Sequence, residues 1–483
     1  MCYDKTSLIQ NHGTNLVFMK RSPPMSKDLR GREALFQLDG IPPVGPSVSL
    51  ALQHLVAMIV GCVTPPLIIA NVIGLPQAER VLLIQSSLVV SAVATLLQLY
   101  PIGKKSWKFR FGSGLPIIMG ISFAYVPSMQ AIAGDGGGVA AIAGAMIVGG
   151  IVAVLVGLFV RQIRVLFPPV ITGTVVFTIG LSLYPTAINY MAGGTSNTYD
   201  LIVGTKGLTE ALVYGSWQNW AVAILTLVAV MVLNNCGKGV AKLASILIGM
   251  GFGYVVAMCF GMVDFSEVGG AAWFSLPQFN HFGVTFDPAA CIAIGLLFAI
   301  NSIQAIGDFT ATTIGGLDRD PTNGELQGGI VTYGLTNILG ALFGGLPTAT
   351  YSQNVGIVTT NKVVNRFVFA LTGGFLLLAG VSPKFAACLT TIPQCVLGGA
   401  TITVFSTIAM TGMKLIASQE LSARNTTIVG LSAALGVGIS QAADALGQFP
   451  ESFTMIFGKS PVVIATIMAV ILNLILPKNG TED

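Results

Sequence analysis

From residue 48 onward the chain returns again and again to apolar stretches of about the length a bilayer demands. A hydrocarbon core about 30 Å thick needs roughly 20 helical residues to cross it. Fourteen segments are predicted, at residues 48–73, 81–102, 113–132, 139–160, 168–191, 218–235, 241–262, 287–312, 326–345, 350–361, 365–383, 393–414, 426–447 and 460–477. Two of them are weak. The third opens on "FGSGLP", and the tenth ends at the residue before Lys362. The chain is 53% hydrophobic and 9% charged, against roughly 25% charged in an ordinary globular domain. An all-α polytopic membrane protein follows.

Charge tests the count independently, because cytoplasmic loops are enriched in Lys and Arg. With the N-terminus inside and fourteen crossings, all of the 24 Lys and Arg fall on the cytoplasmic side except Arg80, Lys206, Lys384 and Lys459. Removing any one mid-chain segment would invert the downstream half and spoil this asymmetry, so the tenth must count. The reading is an integral protein of the cytoplasmic membrane with both termini cytoplasmic. Residues 1–46 lack the apolar core of a signal peptide and read as a polar cytoplasmic tail. The net charge of +4 comes without a dense basic run, which argues against nucleic acid as a partner. The seven cysteines contain no C-x-x-C, so neither a disulfide framework, a metal site nor a cofactor is expected.

Fourteen segments divide into two halves of seven, and because seven is odd the second half must run inverted. An echo supports the division: "FPPVITG" at 167–173 resembles "IPQCVLGG" at 392–399, at corresponding junctions. Paired, interrupted segments in corresponding positions point to a transport site at the bilayer midplane. The third and tenth segments are that pair.

Polar groups inside the spans are costly and call for an explanation. Asp308 is the one acid well inside a span, and Gln304, four residues earlier, shares its helix face. Asn301 lies on nearly the same face. His54 is the one histidine well inside a span; alone it makes no metal site, and orienting a neighbour by hydrogen bond competes with simple packing. Ser122 and Phe123 lie between Gly120 and Pro127, where helix is disfavoured. Ordinary packing would also explain a lone Phe. Gln353 and Asn354 stand side by side, followed by Gly356 and two threonines of low helix propensity. Adjacent side chains on a helix diverge by about 100°, so the two amides are expected to converge on one ligand only if the chain is extended or just entering a helix. A small planar molecule with several donors and acceptors, such as a nucleobase, suits such amides with an aromatic over its face. No His/Asp/Glu cluster or nucleophile–base pair emerges in the spans, which argues against an enzyme.

"SQNVGIVTTNK" resembles the signature of the nucleobase–ascorbate (nucleobase–cation symporter-2) transporters, with Gln353, Asn354, Gly356 and Lys362 matching. "LALQHLVAM", "FPPVITG" and "QAIGDFTATT" are similar to other family landmarks, in order, over roughly residues 45–477. The resemblance implies two inverted seven-segment repeats. A core domain comprises residues 47–165 and 286–390, and a gate domain residues 166–285 and 391–478. Short antiparallel strands in segments 3 and 10 hold the substrate. It further implies a homodimer, an elevator-type motion, proton symport, and surrounding lipid. Gln304, Gln353, Asn354, Phe123 and Ser122 would bind substrate, with Asp308, His54, Tyr333 and Gly356 supporting or coupling. Gln at position 353 resembles the bacterial xanthine and uric acid branch. Three departures stand out: Gln304 and Tyr333 replace acids usual in the family, and Asn361 replaces a Thr. The first removes a proton carrier. The expected function is import of xanthine or uric acid. A uracil or other nucleobase permease, or an anion transporter of the same fold, are the alternatives.

Overall fold

The structure, a computed structural model, describes residues 31–103, 110–163, 168–194, 213–450 and 460–477, together with residues 453, 454 and 457. Expectations for the tail up to residue 30, for Lys104, Lys105, Lys108, Arg164, Phe167, Lys206, Lys459 and Lys478 lie outside the described residues.

The described chain is mostly helical. The first half comprises α1 (Val44–Ile73), α2 (Gln77–Leu99), the strand β1 (Met119–Ile121), α3 (Val126–Gly134), α4 (Gly138–Leu158), α5 (Pro169–Met191), α6 (Trp217–Cys236) and α7 (Ser245–Cys259). The second comprises α8 (Pro288–Leu317), α9 (Asn323–Leu342), the strand β2 (Thr348–Thr350), α10 (Ser352–Asn361), α11 (Arg366–Gly380), α12 (Pro383–Thr390), α13 (Gln394–Ala417), α14 (Ala423–Gln441) and α15 (Pro461–Ile475). Among the described residues, seven helices are long and apolar enough to cross a membrane: α1, α2, α4, α5, α6, α8 and α13. An eighth candidate is α11 with α12, bent by 78° at their junction. The third and tenth predicted segments are strand–helix units rather than full helices.

Local chemistry sets the helix ends. Gly74, at φ 73°, takes the left-handed conformation that stops α1 and returns its N–H to the last turn. Thr322 and Glu325 form a capping box at the start of α9, and Arg319 pairs with Glu325 at 2.6 Å. The polar N-terminal stretch differs from the expected tail at its end. Asn365 Nδ2 donates to the Ala34 carbonyl at 2.7 Å, Arg366 N–H to Leu38 O at 3.0 Å, and Arg366 pairs with Asp39 at 2.6 Å. Ala34, Leu35 and Leu38 are buried there; three apolar residues within a charged stretch suffice to dock it.

The helices pair most extensively within two sets. In one, α4 packs on α8 and α9, α11 on α2, and α1 on α11 and α2; in the other, α5 packs on α13, α13 on α6, α6 on α7, and α14 on α15. Small residues allow a close approach between α5 and α13. A Cβ on Gly173 would press within 2.9 Å of the Ile416 nitrogen, and one on Gly398 would collide with the Met191 nitrogen. These are the two glycines of the "FPPVITG" and "IPQCVLGG" echo.

Candidate functional site

The break in the helical pattern is a two-stranded antiparallel sheet, with Met119 opposite Thr350, Gly120 opposite Ala349 and Ile121 opposite Thr348. The expected strand in the tenth segment exists but sits slightly early, at 348–350, because regular helix resumes at Ser352. A two-stranded sheet leaves two edges unpaired, and each buried orphan group costs about 1–3 kcal/mol. Side chains of neighbouring helices fill both edges. On α2, the Thr95 hydroxyl donates to Met119 O at 3.2 Å and accepts from Met119 N–H at 3.0 Å. On α9, Asn337 Nδ2 donates to Thr348 O at 3.3 Å, and its Oδ1 accepts from Thr348 N–H at 2.8 Å. The short strands are thereby satisfied inside an apolar bundle.

Tyr351, at the N-cap of α10, braces the pair. Its hydroxyl donates to Ile121 O at 2.7 Å, and its ring occupies the space a Cβ on Gly120 would need. Asp308 ties α8 to the same junction: its carboxylate accepts from the hydroxyls of Thr350, at 2.5 Å, and Ser352, at 2.8 Å. Gln304 lies one turn before Asp308, on the face of α8 that Asp308 turns to the start of α10. Gln304 is half-buried and Gln353 exposed, and neither has a hydrogen-bond partner among the described residues. The exposed positions continue as stripes, at Gly307, Ala311 and Ile314 on α8 and at Gly356 and Thr360 on α10. No atom stands within 4 Å of where a Cβ on Gly307 or Gly356 would be.

The two neighbouring amides do not converge. Asn354 is buried and turns to α1, where its Nδ2 lies 3.1 Å from both His54 Nδ1 and the His54 carbonyl. The reason is helical: α10 is regular from Ser352, so side chains 353 and 354 diverge. His54 thus contacts Asn354 across the two helices, with its ring 4.6 Å from that of Phe369. Phe123 sits just beyond β1, its ring edge-on to Phe405 of α13 at 5.3 Å, at the junction of the two helix sets. Ser122 is part-buried; its N–H donates to Pro347 O at 3.0 Å and its hydroxyl accepts from Ala124 N–H. Tyr333 lies on α9. It is buried, shares a hydroxyl–hydroxyl hydrogen bond with Tyr125 and stacks on Phe298 at 5.4 Å.

Thr95, Asn337, Thr350, Ser352 and Tyr351 escaped the sequence reading. Thr350 and Ser352 carried a usable signal: hydroxyls two apart on extended chain share a face and could both reach one acid.

Residues 45–445 match the profile of a permease family. The xanthine permease of Bacillus subtilis (strain 168) is 33% identical over 435 residues, covering 89% of this chain and 94% of the relative. The uric acid permease PucK of the same organism is 35% identical over 427 residues, covering 88% and 94%. The transmembrane domain of a cyanobacterium bicarbonate transporter, BicA, is similar in fold, with a TM-score of 0.54 at 16% identity over 87% of this chain and 97% of that one. The broken-helix geometry, the match along most of the chain and these identities agree: this membrane-embedded protein belongs to the permease family of nucleobase–ascorbate (nucleobase–cation symporter-2) transporters, a family of transporters and not of enzymes.

Proposed function

We propose that the protein imports a purine base, xanthine or uric acid, across the cytoplasmic membrane. One observation carries this reading. Among the described residues Gln304 and Gln353 keep all their side-chain donors and acceptors unused, while Thr350 and Ser352 hydrogen-bond to Asp308 and Asn354 Nδ2 is taken up by His54. A planar base offers edges that two such amides can pair with, and Phe123 offers a ring to its face. Gln353 and Gln304 are the base-contacting residues, with the Ser122–Phe123 backbone beside them. Asn354, His54 and Asp308 hold the frame, Gly356 keeps the approach open, and Tyr333 acts at a distance through Tyr125. The names of the two Bacillus relatives agree with a purine substrate.

The two helix sets support a core of residues 47–165 and 286–390 against a gate of 166–285 and 391–478. The glycine contacts between α5 and α13 support the inverted repeat of fourteen spans. Gly173 meets Ile416 and Gly398 meets Met191; 398 less 173 and 416 less 191 are both 225, so the two contacts exchange under one repeat operation. The exposed stripes run from the free amides toward Lys362 and Arg366, the proposed cytoplasmic side, as in an inward-open carrier. Transport then needs the core to move against the gate, elevator-fashion, in a homodimer. Proton symport would run through Asp308, since an amide at position 304 carries no ionisable proton. Uptake of radiolabelled xanthine and urate in competition with uracil tests the substrate. Uptake of uracil with indifference to both purines would overturn it, as would bicarbonate or sulfate flux without base binding.

A further inference from the structure

We infer that residues 272–279, in the connector between α7 and α8, form an interfacial anchor that beds the moving core into the lipid headgroup region. Residues 271–286, "AAWFSLPQFNHFGVTF", contain no Asp, Glu, Lys or Arg. Trp273, Phe274, Leu276 and Phe279 are 77%, 66%, 63% and 66% exposed. A connector bathed in water has no reason to present four large apolar side chains outward and no charge. Aromatic residues with an apolar body and a polar backbone nearby are what the headgroup boundary selects.

The level of the segment in the molecule agrees. Its backbone is fastened to the ends of helices of the core set. Ser275 N–H donates to Val381 O at 3.0 Å, Lys384 N–H to Ala272 O at 3.1 Å, Asn280 N–H to Leu342 O, and Thr285 N–H to Ala140 O at 3.0 Å. These partners stand at the α11–α12 junction, the end of α9 and the start of α4, so the segment runs along a layer of helix ends, where a bilayer surface lies. The exposed apolar face of α7, with Phe252, Val255 and Met258, leads up to it. The Lys384 ammonium lies 4.4 Å from the centre of the Trp273 ring, a cation–π contact. Although it falls within the residue range 166–285 given to the gate, the segment is bonded to helices of the core set, and on the proposed elevator reading, on which this point rests, it travels with them.

The occupant is the phospholipid interface, and the test is done on the full chain in phospholipid vesicles. With Trp107, Trp217 and Trp220 each replaced by Phe, Trp273 reports alone. Lipid brominated near its headgroup end should remove most of its fluorescence, and aqueous iodide little. Strong iodide quenching with no effect of the brominated lipid would overturn the proposal. A second readout does not depend on that variant: a nitroxide on Phe274→Cys, in a chain whose other cysteines are Ser, should be more accessible to oxygen than to a water-soluble nickel complex. The reverse order would refute lipid contact. Dipolar broadening between labels of two copies would assign the patch to a second chain and equally overturn it.

Discussion

Gln353 and Gln304 are amides whose side chains make no hydrogen bond among the described residues, beside the engaged carboxylate of Asp308. If they read a desolvated base, removing either loses hydrogen bonds worth about 1–3 kcal/mol. Gln353→Ala should therefore weaken xanthine or urate binding roughly tenfold to hundredfold, measured by calorimetry or thermal shift on purified protein. Unchanged affinity would remove Gln353 from the site. Gln304→Glu restores an ionisable group one turn from Asp308, and uptake in that variant should become more steeply dependent on external pH. An identical pH profile would mean that Asp308 suffices or that another ion drives transport. At this scale the sequence was partly legible. It singled out Gln304, Gln353 and Asp308 because each is an expensive residue in an apolar span. It did not reveal that Asn354 turns away, because that depends on where regular helix resumes, one residue before Gln353.

The strand–helix units owe their existence to neighbours rather than to their own propensity. Three-residue strands cannot persist alone; they stand because Thr95 and Asn337 occupy the hydrogen-bonding positions a third and fourth strand would fill. Asn337→Leu strands the N–H and C=O of Thr348, a cost of about 1–3 kcal/mol for each buried group. The expected result is a lower melting temperature together with weaker base binding, while Asn337→Asp keeps an acceptor for the N–H and should recover part of both. A variant that melts lower but binds base normally would show that the strands do not shape the site. The breaks themselves were readable from Gly and Pro in segment 3 and from Gly and Thr in segment 10. The residues that make them tolerable were not, since Thr95 and Asn337 lie 24 and 11 residues from the groups they satisfy.

At the scale of the whole molecule, few polar bonds join helices of the two sets among the described residues, and they gather around α3 and the end of α1. Ser128 on α3 shares a hydrogen bond of 2.7 Å with Ser460, the N-cap of α15, and Gln130 accepts from Thr186 of α5 at 3.3 Å. If core slides against gate, such contacts must part in each cycle. Ser128→Cys with Ser460→Cys, in a chain whose seven native cysteines are Ser, should stop uptake when oxidised and recover it on reduction. Continued uptake with the crosslink formed, verified by mass spectrometry, would show that this junction does not move.

By itself the sequence determined the medium. Apolar length and the sidedness of Lys and Arg are set by the bilayer's thickness and the cost of charge within it, and both are local properties that can be read from one chain. Its polar residues within spans marked the neighbourhood of the candidate site. Only the tertiary structure decided which of them face an open space and which are consumed in holding the frame. That division depends on partners brought together from positions such as 54 and 354, or 308 and 352, and the hydrogen-bonding capacity of an amide or a carboxylate says nothing of which neighbour will use it.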